Sequence, residues 1–253
     1  GRCGESNYAS LCGSNGWEPG LISRSTMAIT IWILGDQLLE KHPALTTAEA
    51  EIGRDGLRVV LIESRARATR LPYQRKKLVL LFSAMRHYAI ALQERGYSVD
   101  ILQAEDMLSG LRQHVAAWHP DRIFCMAASE YGVRRFQERL ESQIALPVIV
   151  LPNTQFLSGQ YDPIPEPQAG KRYVMETFYR AMRRRFNLLM EPGNNPVGGK
   201  WNYDIQNRRP LPKGVPSPER VRFQPDHITR QVMREVAASH SGLESAPGKL
   251  WPL

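Results

Sequence analysis

Cysteine is scarce in this chain of 253 residues, which contains only three. Cys3 and Cys12 lie in a stretch rich in Gly, Ser and Asn, and Cys125 is the only cysteine that follows Met27. A single thiol cannot form a disulfide framework or a thiolate metal cluster, so both are excluded for the body of the chain. The scarcity favours the reducing cytoplasm as the location of the protein.

Long apolar runs and targeting signals are also lacking. No window approaches the roughly 18 uninterrupted apolar residues that a transmembrane helix requires, so no membrane partner is expected. Residues 1–26 lack the basic region followed by an apolar region that defines a secretory signal. The chain begins with glycine, and Met27 directly precedes the first strongly apolar run. We therefore interpret residues 1–26 as a disordered upstream or expression-derived extension.

Standard catalytic signatures are absent as well. The sequence has no G-x-G-x-x-G after its first apolar run, no G-x-S-x-G and no H-E-x-x-H. The segment 198–200 is Gly-Gly-Lys, but Trp201 follows it, so it is not a Walker A motif. Of the six histidines, only His114 and His119 have a spacing near that of metal ligands, and this pair spans a predicted helix end. We therefore predict no catalytic residue and no metal site.

The composition is otherwise that of a globular chain, with 42% hydrophobic and 23% charged residues. The net charge of +8 is unevenly distributed, because residues 171–222 contain 12 Lys or Arg against 4 Asp or Glu. The remainder of the chain is balanced. The basic segment is either a solvated surface or a contact surface for a polyanion such as DNA or RNA.

Five short apolar runs, rich in β-branched residues, are typical of strands buried on both faces of a parallel sheet. Helical periodicity lies between them, most clearly over residues 73–95, with Gly96 as the stop signal. Alternating strands and helices predict right-handed βαβ crossovers and the α/β class: a Rossmann-like, doubly wound, five-stranded parallel sheet. The predicted strands are 28–34, 57–62, 97–102, 122–126 and 147–151, and the other helices between them are 105–118 and 130–144.

The alternation of apolar strands with helices ends after residue 151. Residues 153–168 indicate a long loop, residues 171–190 a basic helix, and residues 225–239 one more helix. Residues 192–218 hold six prolines and cannot form long regular structure. A Pro-rich tether after a sheet domain usually leads to another domain. The predicted division is an α/β domain over 27–155 and a basic connector over 156–253 that leads to a domain beyond this chain.

Polar residues follow three of the predicted strands. Gly35, Asp36 and Gln37 follow the first, Glu63 and Ser64 follow the second, and the segment Ala-Ala-Ser-Glu follows the fourth. Ligands of open α/β sheets bind beyond the carboxyl ends of the strands, so these groups are expected to converge there. Carboxylates accept hydrogen bonds from ring N–H or hydroxyl groups and repel phosphate, which predicts a neutral small-molecule ligand. The alternative is structural, with Asp36 as a helix cap and Glu63 solvated.

Four segments, taken in order, resemble one family. They are residues 32–38 (WILGDQL), 77–88 (KLVLLFSAMRHY), 171–184 (KRYVMETFYRAMRR) and 199–204 (GKWNYD). They are similar to the amino-terminal half of the photolyase-related proteins, the iron–sulfur bacterial cryptochromes and (6-4) photolyases, and the likeness covers about residues 27–245.

The resemblance implies a Rossmann-like antenna domain, a long interdomain connection and a larger helical partner domain. In the family, that helical domain holds FAD, a four-cysteine 4Fe-4S cluster and the lesion-binding pocket. This chain has one cysteine in its body and no long helical region after the connector. The resemblance therefore implies that FAD and the cluster belong to a missing carboxyl-terminal half, and that this chain alone is inactive in repair.

The resemblance also implies an antenna ligand, 6,7-dimethyl-8-ribityllumazine, in the sheet domain. Asp36 and Glu63 fall on positions associated with its pocket. We assign Asp36 and Gln37 to ring or polyol hydrogen bonds and Glu63 to the ribityl hydroxyls. The remaining predicted pocket residues are Gly35 and Ser64 in the same turns, and Pro72 and Tyr73 on the apolar side.

The leading interpretation is the light-harvesting part of a photolyase- or cryptochrome-like flavoprotein, acting in light-dependent DNA repair or blue-light sensing. The alternative is a non-enzymatic nucleic-acid-binding module, in which the sheet is a scaffold and the basic segment carries the function. The predicted nucleic-acid contacts are Arg183, Arg184, Arg185, Arg208 and Arg209.

Overall fold

A computed structural model describes residues 27–166 and 168–239, apart from the side chain of Gln206. The predicted extension 1–26 and residues 240–253 lie outside the described part. Five strands form one parallel sheet in the order β3-β2-β1-β4-β5. The strands are β1 (Ile29–Trp32), β2 (Leu57–Ser64), β3 (Ser98–Ala104), β4 (Arg122–Met126) and β5 (Val148–Leu151). The predicted fold class is confirmed, and each predicted strand is present with ends shifted by at most two residues.

Helices cover both faces of the sheet. On one face pack α1 (Pro43–Ile52), which joins β1 to β2, and α3 (Arg75–Glu94), which follows the short α2 (Arg65–Thr69). On the other pack α4 (Met107–Trp118) and α5 (Tyr131–Ile144). The strand order runs outward from β1 in both directions, so the connections diverge between β1 and β4. That divergence is where open α/β sheets form a binding crevice.

The burial of both faces explains why the strands are continuous apolar runs. On one face, Ile31 and Val59 pack beneath α1 and α3. On the other, Trp32, Val60 and Cys125 pack beneath α4 and α5. Alternate residues of one strand therefore enter two different cores, and β-branched side chains fit both pleated surfaces.

The sequence reasoning missed two helices of the sheet domain, α1 and α2, and one short helix of the connector. The fully buried His42 caps α1, where its Nδ1 accepts a hydrogen bond from the N–H of Ala44 at 3.2 Å. Pro43 then occupies the first helical position, where its missing N–H costs nothing. Histidine is not among the preferred N-caps, so only the proline marked this start. Ser64 caps α2 through a 3.2 Å hydrogen bond from the N–H of Arg67.

The connector contains short elements, as its prolines indicated. The predicted basic helix is α6 (Met175–Phe186), shorter than expected because Asn187 follows with a positive φ of 51°. A two-stranded antiparallel hairpin and a short helix come next: β6 (Met190–Glu191), β7 (Asn195–Pro196) and α7 (Asp204–Asn207).

The last described helix, α8 (His227–Ser239), returns to the α/β domain. Val232 and Val236 are buried against Leu78 and Val79 of α3. Connector and sheet are thus joined by an apolar contact on the outer side of α3.

Candidate functional site

A cavity of about 300 Å³, called the rim cavity below, lies at the carboxyl rim of the sheet, where the connections diverge. Its volume is at the lower end of the range for small-molecule sites. Its walls come from the ends of β1, β2 and β4, from α2 and from the first turns of α3, α4 and α5. The lining residues are Leu34, Gly35, Asp36, Ile62, Ser64, Arg67, Ala68, Tyr73, Lys77, Leu78, Leu81, Phe82, Met85, Met107, Ala128, Glu130 and Val133.

The turn after β1 brings Gly35 and Asp36 to the cavity. A Cβ atom at Gly35 would lie 2.8 Å from Sδ of Met85, so glycine permits the close approach of this turn to α3. Asp36 is exposed, and its backbone carbonyl accepts a hydrogen bond from Nε2 of Gln155 at 2.5 Å. Because His42 caps α1, Asp36 is not a helix cap, and it lines the rim cavity.

Gln37 has a supporting position. It is fully buried, and its Nε2 donates to the carbonyl of Ala127 at 3.0 Å and to that of Met126 at 3.4 Å. These bonds tie the turn after β1 to the end of β4. Its Oε1 is buried without a hydrogen-bond partner among the described residues. Gln37 is not among the residues that line the rim cavity, so it holds the Asp36 turn in place.

Glu63 faces a second cavity of about 490 Å³, which shares Ser64, Ala68 and Phe82 with the rim cavity. Its side chain is 4% exposed, and its two oxygens accept hydrogen bonds from Nε and Nη2 of Arg86, both at 2.8 Å. The solvated Glu63 of the structural alternative is therefore wrong. Asp36 and Glu63 border adjoining cavities instead of one common cavity.

Arg86 links this second cavity to α8. Its Nη2 also lies 2.5 Å from Oε2 of Glu235, and Val236 of α8 lines the cavity beside it. The hydrogen bonds that Arg86 donates to Glu63, and then those that it donates to Glu235, raise the pKa of Arg86 above its ordinary value, so this cation stays charged. Helix α8, the last described helix of the connector, thus forms one wall of the second cavity.

Of the remaining predicted pocket residues, Ser64 and Tyr73 line a cavity and Pro72 does not. Ser64 is buried and lines both cavities. Tyr73 is half-buried and lines the rim cavity, whereas Pro72 is exposed and lines neither cavity.

The sequence reasoning did not predict the charged group that Arg67, Arg70 and Glu130 form beside the rim cavity. Nη2 of Arg67 lies 2.5 Å from Oε2 of Glu130, and Nη1 of Arg70 lies 2.8 Å from Oε1 of the same carboxylate. Hydrogen bonds from Arg67 and then Arg70 lower the pKa of Glu130 to about 2. Nζ of Lys77 lies 4.4 Å from the ring centroid of Tyr73. The signal available in the sequence was the basic run before α3, but no spacing rule links Arg67 to a residue 63 positions later.

The connector presents a basic and aromatic surface. The guanidinium of Arg184 lies 4.7 Å from the ring centroid of Trp201, and that of Arg185 lies 5.6 Å from the ring centroid of Tyr161. Both arginines are exposed, and so are Arg208 and Arg209. Their side chains are accessible to a polyanion.

Arg183 differs from its neighbours. It is 6% exposed, its Nε donates to the carbonyl of Leu188 at 2.9 Å, and its Nη2 donates to the carbonyl of Leu189. Its Nη1 donates to the hydroxyl of Tyr179 at 3.0 Å. The guanidinium of Arg183 therefore binds the backbone carbonyls that follow α6. It is too enclosed for the phosphate contact that the sequence predicted for it.

Two further properties concern residues 27–166 and 168–239 only. No group of three or more His, Cys, Asp or Glu side chains is arranged there to hold a metal ion. No helix in this part of the chain is long and apolar enough to cross a membrane.

Comparisons with known proteins give a consistent result. Residues 31–250 match the family described as "Deoxyribodipyrimidine photo-lyase-related protein". The chain is 32% identical over 216 residues to a (6-4) photolyase of Agrobacterium fabrum, a match that covers 83% of this chain and 42% of that protein. It is 27% identical over 161 residues to an uncharacterised protein of Acanthamoeba polyphaga mimivirus, covering 55% of this chain and 73% of that protein.

Among solved structures, a bacterial class III photolyase from Agrobacterium tumefaciens matches with a TM-score of 0.51 and 17% identity. The match covers 66% of this chain and 33% of that one, so it supports the fold alone. The chain thus spans less than half the length of either photolyase. The family match over residues 31–250 and the 32% identity to a (6-4) photolyase show that this chain belongs to the deoxyribodipyrimidine photo-lyase-related proteins.

Proposed function

We propose that this chain is the light-harvesting part of a photolyase- or cryptochrome-like flavoprotein, acting in light-dependent DNA repair or blue-light sensing. The rim cavity is the proposed site of the antenna chromophore, 6,7-dimethyl-8-ribityllumazine. The observation that carries the proposal is a cavity of about 300 Å³ at the divergence of β1 and β4, in a chain of the photolyase-related family.

The lining of the rim cavity fits a flat heterocycle with a polar tail. Leu81, Phe82 and Met85 supply apolar surface for a ring, while Asp36 and Ser64 supply hydrogen-bonding oxygens. When bound, the chromophore supplies light absorption, and the residues of the cavity orient it and exclude water. Glu63 is less suited to the ribityl hydroxyls than the sequence indicated, because Arg86 already occupies both of its oxygens.

FAD and the 4Fe-4S cluster are assigned in this proposal to a helical domain in another part of the whole protein. The 42% coverage of the (6-4) photolyase leaves room in that relative for such a domain. The antenna would pass its excitation to FAD there, and repair or signalling would follow from that domain.

The test is a titration of the purified protein with ribityllumazine, followed by the fluorescence of the chromophore. Asp36→Ala should weaken binding by about 1–3 kcal/mol, because it removes a charged hydrogen-bond acceptor from the border of the cavity. Asp162→Ala, on the connector, is the matched control and should bind as the wild type does. Absence of binding by the wild-type protein would contradict the proposed function, and unchanged affinity of Asp36→Ala would contradict the role of Asp36.

Nucleic-acid binding by the connector is a second candidate. The observation that favours it is the exposure of Arg184, Arg185, Arg208 and Arg209 beside aromatic rings. Such a surface suits phosphate contacts, which position a protein on a duplex without reading its sequence. Duplex DNA titrated at two salt concentrations tests this candidate.

A further inference from the structure

His87 of α3 faces a hydrogen-bond acceptor on each side of its ring. Its Nδ1 lies 2.7 Å from the backbone carbonyl oxygen of Ser83, one turn earlier in α3, and its Nε2 lies 2.5 Å from Oδ2 of Asp226. A backbone carbonyl cannot donate a hydrogen bond, and neither can an ionised carboxylate. Because a neutral imidazole donates through one nitrogen only, the two contacts together require the protonated form of His87.

Asp226 is held as an ionised acceptor by the helix that it begins. Its Oδ1 accepts a hydrogen bond from the backbone N–H of Thr229 at 2.8 Å, and its backbone carbonyl accepts one from the N–H of Arg230 at 3.0 Å. Asp226 is thus the N-cap of α8, where the helix dipole favours a negative charge. The hydrogen bond from Thr229, and then that from His87, hold the pKa of Asp226 well below its usual range, so the carboxylate is charged throughout the neutral and alkaline range.

The other charged groups around this contact are paired with arginines. The hydrogen bond from Arg86 lowers the pKa of Glu235 of α8. From β2 and β3, which also pack against α3, Glu63 pairs with the same Arg86 and Asp100 pairs with Arg58. Among the described residues, two ion pairs join α3 to α8 and its cap, and only that of His87 and Asp226 depends on a histidine. The remaining ionisable side chains of α8 are exposed: His227, Arg230 and Arg234.

The charge of His87 is present at low pH and is lost as pH rises. The hydrogen bond to Asp226, followed by that to Ser83, raises the pKa of His87 above its ordinary value of 6.5. Since the pKa is higher with α8 attached, the contribution of the pair to this attachment is complete below pH 6.5 and disappears as pH rises through the raised pKa. The two side chains are 44% and 45% exposed, so the contribution has the size of a surface ion pair.

The attachment of α8 determines whether the second cavity is closed on that side. Four residues of α8, at positions 235, 236, 238 and 239, line this cavity. Ala68 and Phe82 line both the second cavity and the rim cavity, and they pack in the same apolar cluster as Val232 of α8. When α8 detaches from α3, the second cavity loses one wall and the apolar cluster around Phe82 becomes exposed.

We propose that His87 makes the attachment of α8 dependent on pH. Protonated His87 bridges Ser83 and Asp226 and holds the beginning of α8 against α3, so the second cavity keeps its wall. When the proton leaves to solvent, one ring nitrogen presents a lone pair to an acceptor, the bridge is broken and α8 detaches more often. The apolar contact of Val232 and Val236 remains. The effect is therefore a shift between attached and detached α8, and the second cavity is more accessible at pH 9 than at pH 6.

Hydrogen–deuterium exchange at pH 6 and pH 9 tests the proposal, with each rate divided by the intrinsic exchange rate at the same pH. Protection of the α8 amides should decrease about two- to fivefold from pH 6 to pH 9, the range over which an exposed ion pair shifts an equilibrium. Protection in β1 and β4 should not decrease, because the buried His42 favours the folded sheet at the higher pH. The measurement needs no chromophore, so its outcome is independent of the proposed function.

Two variants remove the pair in different ways. Asp226→Asn keeps a side chain that caps helices and removes the charge, whereas His87→Gln removes the titrating ring. In both variants, protection of α8 at pH 6 should fall to about the wild-type value at pH 9, and its dependence on pH should disappear. His227→Gln is the matched control, because His227 is an exposed histidine at the first position of the same helix. It should keep the wild-type decrease.

Equal protection of α8 at pH 6 and pH 9 in the wild-type protein would overturn the proposal. So would a decrease that persists in either His87→Gln or Asp226→Asn, or one that disappears in His227→Gln. A decrease of the same size in β1 and β4 would show that the sheet itself responds to pH, and it would contradict the role given to α8.

Discussion

At the scale of single residues, the pair of Glu63 and Arg86 organises the end of β2. Glu63 is 4% exposed and Arg86 is 14% exposed, so neither charge could be accommodated alone. Gln103 of β3 donates to the same carboxylate at 3.1 Å, and Glu235 of α8 contacts the same guanidinium. Residues of β2, β3 and α8 thus meet around the half-buried guanidinium of Arg86, which belongs to α3.

Glu63→Gln should lower the free energy of unfolding by about 3 kcal/mol, because it leaves the largely enclosed Arg86 with Glu235 as its one remaining anionic partner among the described residues. Denaturant unfolding of both proteins measures the difference. Glu105→Gln, which breaks the exposed pair with Arg65, should cost less than about 1 kcal/mol. If the two substitutions lowered the free energy of unfolding equally, burial would not explain how much an ion pair contributes to stability.

His42 predicts a second residue-scale effect, on stability against pH. Burial lowers its pKa from 6.5 to about 4, so the unfolded chain binds a proton between these values and the folded chain does not. Stability is therefore complete above pH 6.5 and decreases as pH falls towards 4, by up to about 3 kcal/mol. His42→Asn keeps a capping side chain and should flatten this decrease, measured by urea unfolding at several pH values.

Other histidines also contribute to the dependence of stability on pH. Burial lowers the pKa of His114 as well, so part of the decrease remains in the variant. The hydrogen bond to Asp226 raises the pKa of His87, whose contribution is present at low pH and is lost as pH rises. An unchanged slope below pH 6.5 in His42→Asn would contradict the assignment to His42.

At the scale of elements, α8 is attached to the sheet domain mainly through α3. Its contact consists of Val232 and Val236 with Leu78 and Val79, together with the ion pairs of Arg86 and His87. Small contacts of this kind open locally with less free energy than the whole domain requires.

Val232→Asp should release α8 while the sheet stays folded, because Val232 is fully buried against α3 and an unpaired carboxylate cannot be accommodated there. Hydrogen exchange should accelerate in α8 and stay slow in β1, β2 and β4. Ala237→Asp, on the exposed face of the same helix, should exchange almost as the wild type does. Faster exchange throughout the sheet would contradict local attachment.

Strands and helices were predictable where a single sequence pattern was sufficient to identify them. The apolar runs of β1 and β4 are buried on both faces, and only strands give that pattern at such lengths. α1 was missed because its cap is a histidine, and α2 because five residues are too few for a period. The end of α6 was misplaced because Asn187 adopts the left-handed conformation that Gly more often marks.

At the scale of the whole molecule, the basic charge lies on the connector, whereas the proposed chromophore site lies on the sheet domain. If Arg184, Arg185, Arg208 and Arg209 contact about four phosphates, raising salt from about 50 to 200 mM should weaken duplex binding on the order of 100-fold. Replacing Arg184 and Arg185 by Gln should lower the affinity and the slope. Arg134→Gln, on α5, is the control. Salt-independent affinity would assign these arginines to contacts within the protein.

The site was partly predictable from the sequence. Gly35, Asp36 and Ser64 line the rim cavity, as expected because the carboxyl ends of parallel strands meet at one edge, and their roles toward a ligand stay predictions. The charge of the rim cavity was not predictable, since the partners of Glu63 and Glu130 come from helices 23 and 60 or more residues away. Whether a carboxylate is available to a ligand depends on which arginine pairs with it, and such pairs are tertiary contacts.

The most direct test of the central claim is the structure of the protein in complex with ribityllumazine. The account predicts ring density in the rim cavity, bordered by Asp36, Ser64 and Tyr73. Density in the second cavity beside Glu63, or on the connector, would contradict it.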